Sequence, residues 1–405
     1  MFLDKSLKKE HLSIATWLAF FAVPMSGLVT DIYIPSMPSM AKSLHHSESE
    51  IQLTLTFFLI SYGVVQLFAG SIVDTLGRYK VSVISLFLLT VSLFATAYTE
   101  NLNILYTNRV IQGLSVGALV VAKRAYFVDV YEGEKLKSLL SIITIIWSVG
   151  PIIAPFIGGY LQNWFGWEAN FIFIGIYCLI LFLLELKFGG ETIKKRLVLH
   201  LKTLANEMKY QITTRDFLIG LMICGVSFSM VIFFNLSGPF ILEHKMHLNS
   251  IQLGYVSLLM GIGWMLGGFL GKWTIKYALL KKLQVGILFQ SIFIIMMYYI
   301  GNIYTNIFSL IGFAFIIHTT AGYLFNNYFG YCLGRFPHAA GIAGGLTGGG
   351  VYVITSFISY RIAAMVELTG QTSIAVGYGL CCVVNILFIM YLVLYTKKHH
   401  MIKSL

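Results

Sequence analysis

Apolar residues run along this chain in blocks of about twenty, and charged residues fall almost wholly between the blocks. Twelve such blocks stand out, at 13-37, 50-73, 79-98, 102-124, 137-161, 168-187, 216-241, 249-272, 282-300, 304-332, 338-363 and 370-396. Each is long enough to cross about 30 Å of hydrocarbon as a helix. Between Lys282 and Arg335 there is no Asp, Glu, Lys or Arg, a stretch too long for one helix. The segment Gly301-Asn302-Ile303-Tyr304-Thr305-Asn306 supplies the turn. The pattern predicts an all-α membrane protein with twelve transmembrane helices. The longest polar stretch, 188-215, divides a six-helix half (1-187) from a second one (216-405). It carries Lys194, Lys195, Arg196, Lys202, Lys209 and Arg215 among leucines, which predicts a helix lying on the membrane face.

Composition agrees with the pattern. Hydrophobic residues make up 57% of the chain and charged residues 11%, and the mean hydropathy is +0.80. A soluble core of 405 residues would need far more charge to cover its surface. If the N-terminus is cytoplasmic, all Lys and Arg except Lys42, Arg109, Lys245 and Arg361 fall in cytoplasmic segments or at cytoplasmic helix ends. The reverse orientation would break the positive-inside rule. The net charge of +11 therefore reports topology in the inner (cytoplasmic) membrane and does not argue for nucleic acid. The first block lacks an Ala-x-Ala cleavage site and reads as a retained helix. The tail Lys397-Lys398-His399-His400 reads as a solvated end at the headgroups. Five cysteines, at 178, 224, 332, 381 and 382, lie in apolar blocks without Cys-x-x-Cys or Cys/His spacing, so no metal or cofactor is expected.

One acid breaks the rule. Asp31 sits inside the first block, in Gly27-Leu28-Val29-Thr30-Asp31-Ile32-Tyr33-Ile34-Pro35. A carboxylate in hydrocarbon costs at least a few kcal/mol and persists mainly where it has a task. Arg109 is the matching base in the fourth block. Counting from the block ends, Asp31 lies about 9 Å deep and Arg109 about 10 Å deep, at 1.5 Å per residue. A neighbouring guanidinium favours the carboxylate and burial favours the acid, a balance suited to loading and releasing a proton. The competing reading is a static ion pair locking two helices. Glu185, at the end of the sixth block, reads as structural.

The loop after the second block reads Gly70-Ser71-Ile72-Val73-Asp74-Thr75-Leu76-Gly77-Arg78-Tyr79-Lys80 and resembles the signature loop of the major facilitator superfamily. Gly70 would let helices approach closely, Asp74 could cap a helix N-terminus, and Arg78 could pair with acids or carbonyls. Leu105-Tyr106-Thr107-Asn108-Arg109-Val110-Ile111-Gln112-Gly113 resembles the family's fourth-helix motif. Gly150-Pro151-Ile152-Ile153-Ala154-Pro155-Phe156-Ile157-Gly158-Gly159 is similar to the fifth-helix motif of its antiporters, with Ala154 replacing one glycine. Thr30-Asp31-Ile32-Tyr33-Ile34-Pro35-Ser36-Met37-Pro38 resembles the first-helix signature of the bicyclomycin-resistance branch of drug:proton antiporters. The second half echoes the first weakly, with Gly267-Gly268-Phe269-Leu270-Gly271-Lys272 at the loop-motif position. Six glycines crowd the eleventh block, without the lysine of a phosphate loop.

The resemblance implies two pseudo-symmetric halves with a site between them near mid-membrane. It implies a proton-coupled exporter of small amphipathic molecules, working by alternating access and as a monomer. Asp31 and Arg109 would couple protons. Gly70, Asp74, Gly77 and Arg78 would latch one face, and Gly150, Pro151, Pro155, Gly158 and Gly159 would set packing and limit leak. Tyr33, Tyr62, Gln66, Gln112, Phe228, Asn235, His318, Asn326 and Asn327 are the cavity candidates, with packing or interhelical hydrogen bonding as the competing role for each. Some multidrug relatives carry a further acid two turns before Asp31, where this chain has Val23. A single carboxylate must then bind the proton, a cationic substrate, or both by competition. The alternative within transport is a dedicated metabolite or siderophore carrier. No nucleophile-base pair or soluble catalytic domain supports an enzyme.

Overall fold

The computed structural model describes residues 5-193, 196, 201-304 and 306-398. Lys194, Lys195, Thr305, His399 and His400 lie outside the described residues. Twelve helical segments among those described are long and apolar enough to cross a membrane. Six of them exceed their apolar blocks by five or more residues, because polar residues at the ends continue the helix.

The first span, Lys9–Ser43, is not one helix as the hydropathy suggests. It divides into α1 (Leu12–Ala22), α2 (Met25–Asp31), a 3-10 turn (Ile34–Ser36) and α3 (Met37–Ser43). Proline lacks an N–H and cannot complete a helical ladder. Pro24 stands at the first break and Pro35 and Pro38 beyond the second. The rest of the first half is α4 (Glu48–Leu76), α5 (Arg78–Ala97), α6 (Leu102–Val130), α7 (Gly133–Phe165) and α8 (Glu168–Phe188). The polar connection contains α9 (Leu201–Thr213). The second half is α10 (Arg215–Met246), α11 (Ser250–Trp273), α12 (Leu279–Ile303), α13 (Ile307–Gly334), α14 (Ala340–Met365) and α15 (Gln371–Lys398).

The chain forms two compact units, Met1–Lys202 and Thr203–Leu405. Each has the same internal packing. In the first, α4 and α5 pack on α6, α5 on α8 and α2 on α7; in the second, α11 and α12 pack on α13, α12 on α15 and α10 on α14. The weak sequence echo hides a close repeat in cap chemistry. α4 opens with a capping box of Ser47 and Glu50, and α11 with one of Asn249 and Gln252. Two residues before each cap, His45 (φ 55) and His247 (φ 56) take the left-handed conformation. Asn101 caps α6 and Asn306 caps α13. The Tyr126 hydroxyl donates to the Leu12 carbonyl at the start of α1, and the Tyr328 hydroxyl to the Asp216 carbonyl at the start of α10.

Candidate functional site

The site grows from the break after Asp31. Helix α2 ends there, so the Val29 carbonyl is not spent on an amide four residues on. It accepts instead from Arg109 Nη1 at 3.2 Å. The same guanidinium donates to the Thr54 carbonyl (3.3 Å) and to Gln112 Oε1 (2.8 Å). Its Cζ stands 4.5 Å from the centroids of both Tyr33 and Phe58, a cation held between two π faces. Tyr33 hydrogen-bonds Thr54 (2.9 Å), and the Gln112 amide donates to the Ser92 carbonyl and Thr96. Arg109 is 1% exposed, yet its Nη2 has no hydrogen-bond partner.

Asp31 is 7% exposed. It does not form the contact ion pair with Arg109 that equal depth suggested: no such pair lies within 4.0 Å among the described residues. The unwound backbone takes the guanidinium first. Carboxylate and guanidinium nevertheless flank one helix end, since Val29 is two residues from Asp31. The helical span continues to Ser43, twelve residues beyond Asp31.

The broken segment is seated on the glycine-proline stripe of α7. A Cβ at Gly27 would collide with the Pro151 ring, and one at Gly158 with the Ile32 carbonyl. One at Gly150 would stand 2.9 Å from the Pro24 carbonyl oxygen. Pro155 and Gly159 lie on the same helix. The fifth-block motif is thus the surface that lets the Asp31 segment approach to backbone distance.

At the α4-α5 turn, Arg78 Nη2 is 2.8 Å from Asp74 and its Nη1 donates to the Val73 carbonyl. Its Nε is 2.8 Å from Asp129 on α6, an ion pair whose N–H is not aimed along the contact. Two expectations fail here. The N-terminus of α5 is capped by Glu191, not by Asp74. The Glu191 carboxylate accepts from the Arg78 and Tyr79 amides (3.1 and 3.3 Å), and also from those of Thr192 and Ile193. Gly77, at φ 101, leaves the space that this carboxylate fills. Asp74 faces Arg78 because both lie on this turn, while Glu191 is held by a single β-bridge to Ser6, with backbone bonds to Lys5 and Leu7. Gly70 is not a close approach within this unit, since nothing lies within 4 Å of where its Cβ would stand.

Buried charge is more widespread than one acid and one base. Lys123 on α6 and Glu185 on α8 form an ion pair of 2.7 Å with both side chains 5% exposed. Glu185, read from sequence as structural, is thus buried against Lys123 within the bundle. The second half also holds a pair, at the helix ends. Asp216 at the start of α10 accepts from Arg335 Nε and the Tyr331 hydroxyl, each at 2.6 Å. That hydrogen bond raises the Arg335 pKa above its ordinary value.

The remaining candidates separate. Tyr62 and Gln66 lie on α4, where the Tyr62 hydroxyl meets Gln66 and Ser26. In the second unit Phe228 stands 5.4–5.9 Å from Trp264, Tyr352 and Phe325 in a half-buried aromatic cluster. Asn235 is half-buried on α10. His318 is buried with Nε2 3.1 Å from the Tyr378 hydroxyl. Asn326 donates to the Gly322 carbonyl, and Asn327 accepts from Lys282 at 2.6 Å. Asn327 is thus engaged where α12 and α13 meet, while Asn326 stays within α13 beside Gly268 of α11.

Two six-helix units with one packing scheme define a transporter-like membrane bundle. A crystal structure of a D-xylose-proton symporter matches it with a TM-score of 0.73 over 94% of this chain and 97% of that one, at 16% identity, which shows the fold. Residues 19–360 match the Major Facilitator Superfamily model, and the chain belongs to that superfamily of transporters. It is 28% identical to the uncharacterized MFS-type transporter YdgK of Bacillus subtilis (91% of this chain, 92% of that one). It is 27% identical to multidrug resistance protein D of Escherichia coli (87% and 89%). It is 24% identical to the bicyclomycin resistance protein homolog of Haemophilus influenzae (94% and 96%).

Proposed function

We propose that this chain is a proton-driven exporter of small amphipathic molecules, embedded in the inner membrane with both termini cytoplasmic. The observation that carries the reading is a buried carboxylate at a break in a membrane helix, beside a buried guanidinium with an idle N–H group. Asp31 binds the proton and Arg109 sets the charge around it. The chain works by alternating access, as inverted and parallel repeats allow. The Asp74-Arg78 turn, with Asp129 and Glu191, holds the cytoplasmic end of the first half in one shape. The amphipathic α9 rests on the cytoplasmic membrane face. The drug-resistance names of two relatives favour export of foreign molecules over a metabolite or siderophore carrier.

The test is uptake into inside-out vesicles with an imposed pH gradient, using a panel of amphipathic compounds that starts with bicyclomycin. Wild type should accumulate at least one of them, and collapse of the gradient should release it. Asp31→Asn should express to the same level and accumulate none. Unchanged gradient-driven uptake by that variant would overturn the role of Asp31.

A further inference from the structure

The first turn of α5 is closed by residues that belong to no helix. The leading amides of a helix have no partner within it, and those of Arg78 and Tyr79 are taken by the Glu191 carboxylate. The next residue holds the same turn from another side. The Thr192 hydroxyl donates to Asp129 Oδ2 (3.0 Å), the oxygen that pairs with Arg78 Nε. Glu191 and Thr192 stand just past the end of α8.

The start of the chain fixes them there. The Glu191 amide donates to the Lys5 carbonyl (2.7 Å), and the Leu7 amide donates to the Glu191 carbonyl (3.2 Å). Lys5 Nζ donates to the Leu186 and Lys187 carbonyls (3.3 and 2.7 Å). The end of α8 leaves such carbonyls unpaired and favours a cation. Leu7 packs on the apolar cluster that contains Ala15, Ala19, Phe127 and Ile143. The His11 ring stands edge-on to Phe188, with centroids 5.3 Å apart. Gly190 makes room for this docking. Its φ is not positive, so the backbone does not demand glycine. A Cβ there would lie 2.5 Å from the Leu7 nitrogen and Cα and 2.8 Å from the Ser6 carbonyl carbon. The three nearest atoms thus all belong to the docked segment. Its polar contacts are a few hydrogen bonds, which water can replace at small net cost.

We propose that residues 5–7 are a releasable strap. Docked along 186–191, they keep Glu191 on the first turn of α5 and the Asp74-Arg78 turn formed; undocked, they let that turn loosen. The proposal rests on the reading of this turn as the element that holds the cytoplasmic end of the first half.

The test is hydrogen exchange on the purified full chain in detergent, read at the amides of Leu7, Arg78 and Tyr79 by mass spectrometry with fragmentation. Without intrahelical partners, the last two owe their protection to Glu191. Gly190→Ala and deletion of residues 2–7 should each speed exchange at Arg78 and Tyr79 about fivefold, the worth of a helix cap. Glu191→Ala should do the same, and combining it with either change should add nothing. Lys5→Gln should give a smaller rise at Leu7, Arg78 and Tyr79 together, and it decides the matter if the other variants do not fold. Faster exchange at Leu7 in Gly190→Ala or Lys5→Gln, with Arg78 and Tyr79 unchanged, would overturn the strap, since Glu191 would then hold its place unaided. Export is measured separately in inside-out vesicles, where the same variants should alter turnover and leave KM unchanged. Faster exchange at both α5 amides with wild-type turnover would bear out the strap and refute only the reading of the turn.

Discussion

Removing the lysine of the buried Lys123-Glu185 pair should destabilise the first half sharply, and removing both charges should not. The two side chains meet at 2.7 Å and are each 5% exposed. Lys123→Met leaves a carboxylate with nothing to offset its lost hydration. Stranding one partner of a buried pair costs about 3–5 kcal/mol, while replacing both by apolar groups of similar volume is often neutral. For a unit of some two hundred residues, that corresponds to a fall in Tm of about 6–20 °C. Lys123→Met with Glu185→Leu should recover most of it, a coupling far from additive. Lowering the pH should also recover part of the loss in Lys123→Met, since a proton neutralises the stranded acid. The five cysteines are free and buried, so a thiol-reactive fluorophore reports unfolding, with Cys178 on α8 as the reporter nearest the pair in sequence. Additive losses in the double variant, or a Tm change in Lys123→Met of less than about 2 °C, would mean that the pair is open to water and contributes little.

Gly27→Ala should overpack the α2-α7 contact, where its methyl meets the Pro151 ring, at a cost of about 1–3 kcal/mol. Gly70→Ala should be neutral or stabilising in the same melt, because open space awaits its methyl. Glu191→Ala should lower stability by about 1 kcal/mol through loss of the α5 cap; a melt equal to wild type would show that water caps the helix as well. Arg109→Lys should destabilise the protein although charge is kept, because an ammonium cannot serve Val29, Thr54 and Gln112 from one plane; a wild-type melt would show that only the charge matters there.

Much of the architecture was legible along the chain. Hydrocarbon thickness sets helix length, so an apolar block of about twenty residues announces a span without any neighbour. Charge asymmetry predicts which ends share a side, and the cost of a buried charge singles out Asp31 and Arg109. What local sequence could not decide was where each helix stops and which side chains meet. Hydropathy is blind to a break inside an apolar run, so the prolines around Asp31 read as part of one helix. It also ends a helix at the first base, which hid the burial of Lys123. Glu185 looked like a span-end acid because its partner, Lys123, lies 62 residues away, and nothing local marks Glu191 as the α5 cap because the amides it accepts from lie 113 and 112 residues away. Those pairings depend on helix azimuth and close crossing, which arise only when the glycine-lined faces of α6 and α7 are packed.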